Sequence, residues 1–375
     1  MGKVVRIGSK VAHAAGWRLR GARDWGARAL EIARVTRRDH GVGAVALGAR
    51  TARVVRGHGY TLDEAFTMGA LDPSVDDTVL DDLVSKRDTI GLQARLNPNE
   101  LSHLTEDKAV FYRVAEGLGL PVPRLHAILC QSGPGWARGG HVLAGPEDWA
   151  RYLVDEAPDE FVLKPTRGYH GLGVRLVTRR PDGVFDVAGH GPTTVTELCR
   201  AVVDDRQFHV HVVQERLRDH PDLPGDGATL QTLRIITFVG RDGSVEVVNG
   251  QFRMIRPGNT VDNFANGTTG NVLAIVDLDD GTLGTVLRAG AHRSYEMVAP
   301  GEIEWCPPPG TRLPHWDGIV SAVSAAALQF LPMRSIGWDV AVTPDGPRIV
   351  EANIWWDSPS PQPGIGAIVE RMRTA

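Results

Sequence analysis

Two apolar runs near the end of the chain, Trp338–Val342 and Arg348–Ala352, are joined by Thr343-Pro344-Asp345-Gly346. Val and Ile at alternating positions favour strands, and Pro-Asp-Gly supplies a tight turn, so the stretch predicts a β-hairpin. With Thr343 facing Pro347, counting back along both strands sets Asp339 opposite Glu351. Side chains alternate with period two, so Asn353 shares the face that carries them. Val340 and Val350 are then expected to pair on the other face.

The same periodicity predicts strands over Phe161–Lys164, Val174–Val177, Val210–Val213, Thr232–Phe238 and Val245–Phe252. Helical spacing appears in Trp25, Ala29, Ile32 and Ala33, and again over Trp316–Phe330. A third helix is expected after Thr105, which can cap it, with Val110, Phe111, Val114 and Leu118 as its buried stripe. The turn Asn97-Pro98-Asn99 suggests a boundary near residue 103.

Composition narrows the class. The 375 residues are 42% hydrophobic and 23% charged, with a net charge of −4, so wholesale nucleic-acid binding is not expected. Cys130, Cys199 and Cys306 have neither metal-site nor disulfide spacing, which fits a reducing compartment. No apolar run approaches the ~18 residues of a membrane span, and the basic start has no signal-peptide core. A cytoplasmic protein is expected. Arg18, Arg20, Arg23, Arg28, Arg34, Arg37 and Arg38 make the first segment basic. They read as the solvated face of a docked helix rather than as a membrane or RNA surface, because no basic block is unbroken.

The candidate chemistry is oxygen-rich and cationic. Asp339, Glu351 and Asn353 offer two carboxylates and an amide oxygen on one sheet face, a set suited to Mg²⁺ shared with substrate phosphates. Lys108 stands at a helix start, where a cation is electrostatically misplaced unless an anion binds nearby. Lys164 ends a strand that runs into Thr166-Arg167-Gly168-Tyr169-His170-Gly171-Leu172-Gly173, a glycine-rich loop able to approach phosphate. In Gln214-Glu215-Arg216-Leu217, a carboxylate at a strand end could accept from the N6 amine of adenine while a backbone N–H donates to N1. Arg234 lies inside an apolar strand and needs an anionic partner. The polar segment 253–271, with Arg253, Arg256, Asp262, Asn263 and Asn266, reads as an active-site loop.

Taken in order, Asp107-Lys108, Phe161–Lys164 with its loop, Gln214–Leu217 and Gly337–Asn353 resemble the ATP-grasp superfamily. The strings Thr232–Thr237 and Gly337–Ala341 bring the likeness closest to the sugar-transfer-associated branch, related to glutamate-ligase-like proteins. The resemblance implies an α+β fold in which two lobes clamp ATP. The expected division is a largely helical, basic segment over 1–103, a first lobe over 104–213 and a second over 214–375. It further implies that Lys108, Lys164, Gly168, His170, Gly171, Gly173, Gln214, Glu215 and Leu217 bind ATP, and that Asp339, Glu351 and Asn353 bind Mg²⁺. Arg234 and Arg256 become candidates to stabilise an acyl phosphate. The expected activity is ADP-forming ligation of a small-molecule carboxylate to an amine. The alternatives are a kinase acting on a hydroxyl and a nucleotide-binding scaffold without turnover. A homodimer is left open, and no nucleic acid is expected as a partner.

Overall fold

The computed structural model describes residues 26–76, 78, 80, 84–168, 171–223, 229–259, 262, 264, 269–290, 295–357 and 365–374. The chain divides into two compact units, one built mainly from residues up to Thr89, the other mainly from Ile90–Gly290 and Glu296–Pro359.

The first unit is helical. Ile32 and Val35 on the helix over 26–40 are buried with Leu47, Val54, Phe66 and Leu71, and Ala33 packs against them. Trp25, Arg18, Arg20 and Arg23 lie outside the described residues. Arg34, Arg37 and Arg38 are exposed, while Arg28 is paired with Asp63 and Glu31. Among the described residues this is the solvated face of a packed helix. The helix Leu62–Thr67 opens on a capping box between Thr61 and Glu64.

The second unit contains two sheets whose recorded strand pairs are antiparallel. The first holds β1 (Leu125–Cys130), β2 (Gly135–Ala137), β3 (His141–Leu143), β4 (Glu160–Pro165), β5 (Arg175–Arg179), β6 (Phe185–Val187), β7 (Gly191–Thr193) and β8 (Val210–Glu215). Its spatial order is β3-β2-β1-β8-β4-β5-β6-β7. The second holds β9 (Thr232–Val239), β10 (Val245–Met254), β11 (Val272–Val276), β12 (Leu283–Ala289), β13 (Tyr295–Met297), β14 (Ser335–Thr343) and β15 (Gly346–Asn353). Its order is β13-β12-β11-β10-β9-β14-β15.

Alternation explains the layering. In β8, Val213 joins Phe161, Leu163, Trp149 and Leu198 in one core, while Val212 joins the core on the opposite face. That second core takes Phe111, Tyr112 and Ala115 from the helix Lys108–Gly117. It also takes Trp338 and Val340 of β14, and Ile319 and Val323 of the helix Trp316–Gln329.

Two expectations need correction. Thr105 does not cap the helix; Asp107 does, accepting from the backbone N–H groups of Ala109 and Val110 at 3.0 and 3.3 Å. The helix therefore starts at Lys108. Its buried face takes Tyr112 and Ala115 beside Phe111, and Leu118 is exposed. In the hairpin, Thr343 pairs with Gly346 rather than Pro347, and Val340 pairs with Ile349 rather than Val350. Val350 is the extra residue of a bulge, so beyond it the register returns and Asp339 faces Glu351 as expected.

Candidate functional site

A cavity in the second unit is lined from both sheets, and its lining separates by chemistry. Val162, Leu176, Leu217 and Leu230 give an apolar part; Lys108, Lys164, Thr232, Asp262 and Glu351 give a polar, charged part. Gly168, Gly171 and Leu172 of the glycine loop border it, as do Gln214 and Arg216.

Lys164 stands at the end of β4 because the apolar run that makes the strand stops there. Its ammonium donates to the Tyr112 hydroxyl at 3.1 Å and is almost fully enclosed. Burial, and then the charge of Lys108, lower its pKa to about 7, with Glu351 and Asp262 partly opposing the fall. Lys108 occupies the first position of its helix, where its ammonium donates to Glu351 Oε1 at 3.0 Å and to the carbonyl of Gly168 at 2.9 Å.

At the strand end of β8, the side chains of Gln214 and Arg216 point into the cavity and that of Glu215 does not. The Glu215 carboxylate instead accepts from Arg124 N at 2.8 Å. Period-two alternation is the cause. Gln214 is buried, its Nε2 donates to the Glu215 carbonyl at 3.2 Å, and its Oε1 has no hydrogen-bond partner. A buried acceptor left unpaired is costly, so Gln214 Oε1 is the group here with the most to gain from a ligand donor.

Glu351 borders the cavity, and Asp339 sits opposite it on the neighbouring strand. Asp339 is bonded by Arg234 through Nε and through Nη2 at 2.9 Å, and by Arg253 at 3.4 Å. Burial works against this carboxylate, yet Arg234 and then Arg253 outweigh it and hold its pKa below the usual range. The anionic partner that Arg234 needed is thus a protein side chain. Asn353 lies two residues beyond Glu351 with its Nδ2 buried and unpartnered. Among the described residues no three His, Cys, Asp or Glu side chains gather as a metal cluster. Two carboxylates and an amide oxygen are donors of the kind a hard divalent cation takes while drawing its remaining oxygens from elsewhere, as Mg²⁺ does with phosphates. The set fits that group.

Other expected residues fall elsewhere. Gly173, with φ of 73°, does not line the cavity; a Cβ there would come within 2.8 Å of Pro165, so it is a packing glycine. Arg256 follows the end of β10, is exposed, and lies against Gly270 instead of Asp339. Arg253 reaches the carboxylate because β10 runs to Met254, on the face that Gln251 shares with Arg234. His170 lies outside the described residues, as do Tyr169, Asn263 and Asn266. Tyr112 and Thr232 are not among the expected site residues, and Asp262 is expected only as part of the segment 253–271; all three stand at this site. The Thr232 hydroxyl donates to Asp262, whose carboxyl is pushed above its usual range by burial, with Arg253 opposing.

A family model described as sugar-transfer associated ATP-grasp matches residues 87–362. The chain belongs to the sugar-transfer associated ATP-grasp family. It has the ATP-grasp fold, with two antiparallel sheets bordering one cavity. No curated protein matches the chain. Among solved structures it is similar to phosphoribosylamine–glycine ligase from Thermotoga maritima, at 11% identity, with 75% of this chain and 57% of that one covered and a TM-score of 0.44. It is also similar to D-alanine–D-alanine ligase from Helicobacter pylori, at 11% identity, 73% and 62% coverage and a TM-score of 0.40. An L-amino acid ligase from Bacillus licheniformis is 12% identical, with 67% and 41% coverage and a TM-score of 0.35. This member of the ATP-grasp family spans 41% to 62% of the length of those three chains. Among its described residues no helix is long and apolar enough to cross a membrane.

Proposed function

We propose that this chain is an ATP-dependent ligase that activates a small-molecule carboxylate as an acyl phosphate and passes the acyl group to an amine. The observation that carries the reading is the density of fixed cations around one cavity. Lys108 and Lys164 line it, and Arg234 and Arg253 converge on Asp339 beside Glu351. Two anions, a carboxylate and a triphosphate, approach each other only where such charges offset their repulsion.

Adenine lies against Val162, Leu176 and Leu217, its N6 amine donating to Gln214 Oε1. Lys108 and Lys164 hold the phosphates, and Gly168 and Gly171 let the loop come close to them. Asp339, Glu351 and Asn353 are the residues that would hold Mg²⁺, which would supply neutralisation of phosphate charge. A carboxylate oxygen of the substrate attacks the γ-phosphorus in line, the bond to the β,γ-bridging oxygen breaks, and ADP leaves. The amine nitrogen then attacks the acyl carbon, the bond to the phosphate oxygen breaks, and the nitrogen loses a proton. Arg253 is better placed than Arg256 to stabilise the charge that develops in that step. The chain contributes position and charge rather than covalent chemistry.

A second reading has one specific observation in its favour. Asp262 is a partly buried carboxyl group on the cavity wall with a raised pKa, the property of a base that could take a proton from a hydroxyl acceptor. That arrangement would suit a kinase. Measuring ADP release against mixtures of acids, amines and polyols separates the two. Release that needs both an acid and an amine supports the ligase; release with a hydroxyl compound alone, leaving a stable phosphorylated product, supports the kinase.

A further inference from the structure

The helix Lys108–Gly117 presents two functional groups to β15 from one face, four residues apart. Lys108 reaches the Glu351 carboxylate, and the Tyr112 hydroxyl donates to the carbonyl of Val350 at 2.6 Å. Val350 is the bulged residue of β15, and it is this bulge that turns Glu351 toward Asp339. The same hydroxyl oxygen accepts from Lys164 Nζ at 3.1 Å. One phenol therefore touches both the lysine at the end of β4 and the backbone beside Glu351.

We infer that Tyr112 is a positioning residue, which aims Lys164 at the nucleotide phosphates and fixes the bulge that orients Glu351. The inference rests on the reading of the cavity as an ATP site. Its geometry asks for a tyrosine specifically. The ring is fully buried beside Phe111 in the core between the sheets, so its position is set by packing. The hydroxyl has one hydrogen to give and lone pairs to accept with, and it uses both capacities. Lys164 Nζ also lies 5.5 Å from the centre of the same ring, on a surface that favours a cation. Burial, and then the nearby charge of Glu351, keep the phenol protonated, so it stays a donor to Val350.

Without the hydroxyl, Lys164 keeps its chain but loses the anchor of its ammonium. Its rotamers are then ordered only when phosphate arrives, which weakens binding. A Phe at this position keeps the ring in the core, so the fold is expected to survive.

The test is a double-mutant cycle on affinity for Mg·ATP, read by calorimetry on the full chain, with Y112F, K164A and the pair. Urea midpoints and circular dichroism confirm that each variant is folded at the working temperature. Y112F is expected to weaken binding about tenfold, the scale of a hydrogen bond to a charged group. In the K164A background the same exchange is expected to cost clearly less than in the wild type, because the lysine it positions is gone and only its hold on the bulge at Val350 remains. A tyrosine that mattered only for stability would weaken both backgrounds alike. Wild-type affinity in Y112F, or equal losses in both backgrounds, would overturn the positioning role and leave the ATP reading intact. A folded wild-type chain that binds no nucleotide would overturn both.

Discussion

Glu351 stands directly opposite Asp339 across β14 and β15, and each of the two carboxylates is held by a different cation. Lys108 holds Glu351 from the helix; Arg234 on β9 and Arg253 on β10 hold Asp339. Carboxylates and cations of the site are thus paired with one another. What binds there must replace those pairs without leaving a buried charge alone.

The first consequence is for stability. Replacing Asp339 with Ala leaves Arg234 enclosed without its partner, a loss of about 3–5 kcal/mol for a broken buried pair. Changing Arg234 to Met in the same chain should recover most of it, since removing both charges can be close to neutral. Urea unfolding of the single and double variants checks this, and a cost below about 1 kcal/mol for the single change would mean the pair is loosely held.

The second is for binding order. A divalent cation alone must part Asp339 and Glu351 from their cations, and nucleotide alone must draw Lys108 away from Glu351. Supplied together, each offsets the charge the other exposes. Calorimetry should show weak binding of Mg²⁺ alone and of ATP with chelator, and affinity at least about tenfold tighter for Mg·ATP than for either. Equal affinity for ATP with and without the cation would contradict the role given to Glu351.

Much of this was legible in the sequence, and the limits have physical causes. The pairing of Asp339 with Glu351 followed from alternation, although through two offsets that cancel, a tighter turn and a bulge at Val350. Lys108 was conspicuous because a cation at a helix start is unusual. Glu215 drew attention by its charge, yet strand phase turns it toward Arg124 and gives the cavity to its neutral neighbour Gln214. Arg234 did need an anion, but only the strand order, which places β9 beside β14, reveals that Asp339 supplies it. Tyr112 left no trace, because a tyrosine on the apolar face of a helix reads as core until its hydroxyl partners are seen. Arg253 was expected on a loop; extending the alternation of β10 two residues past Gln251 would have put it on the strand, on the face of Arg234.

Gln214 should govern the choice of base. Gln214→Leu removes the acceptor for the adenine amine and is expected to weaken ATP binding about tenfold, as for loss of one buried hydrogen bond. Affinity for GTP, which lacks that amine, should change little. Competition measurements with both nucleotides check the ratio, and an unchanged preference for ATP would place the base elsewhere.

Lys164 gives a proton signature. Its folded pKa of about 7 lies below the ordinary lysine value of 10.5, so between those values the folded chain carries fewer protons than the unfolded one. Stability of the free protein should therefore rise with pH across that window, more steeply than in Lys164→Met. Phosphate beside the ammonium favours its charged form, so nucleotide binding near pH 8 should take up protons. Calorimetry in buffers of different ionisation enthalpy should find that uptake in the wild type and lose it in Lys164→Met; no uptake in the wild type would contradict the contact.

In the proposed reaction the carboxylate of an acid substrate attacks the γ-phosphate. Once an acid and amine that support turnover are in hand, the acid is labelled with ¹⁸O in its carboxylate and the released phosphate is analysed by mass. An acyl phosphate hands one labelled oxygen to each inorganic phosphate when the amine displaces it. The expected result is one labelled oxygen in phosphate for each ADP formed; unlabelled phosphate from an active mixture would contradict an acyl phosphate intermediate.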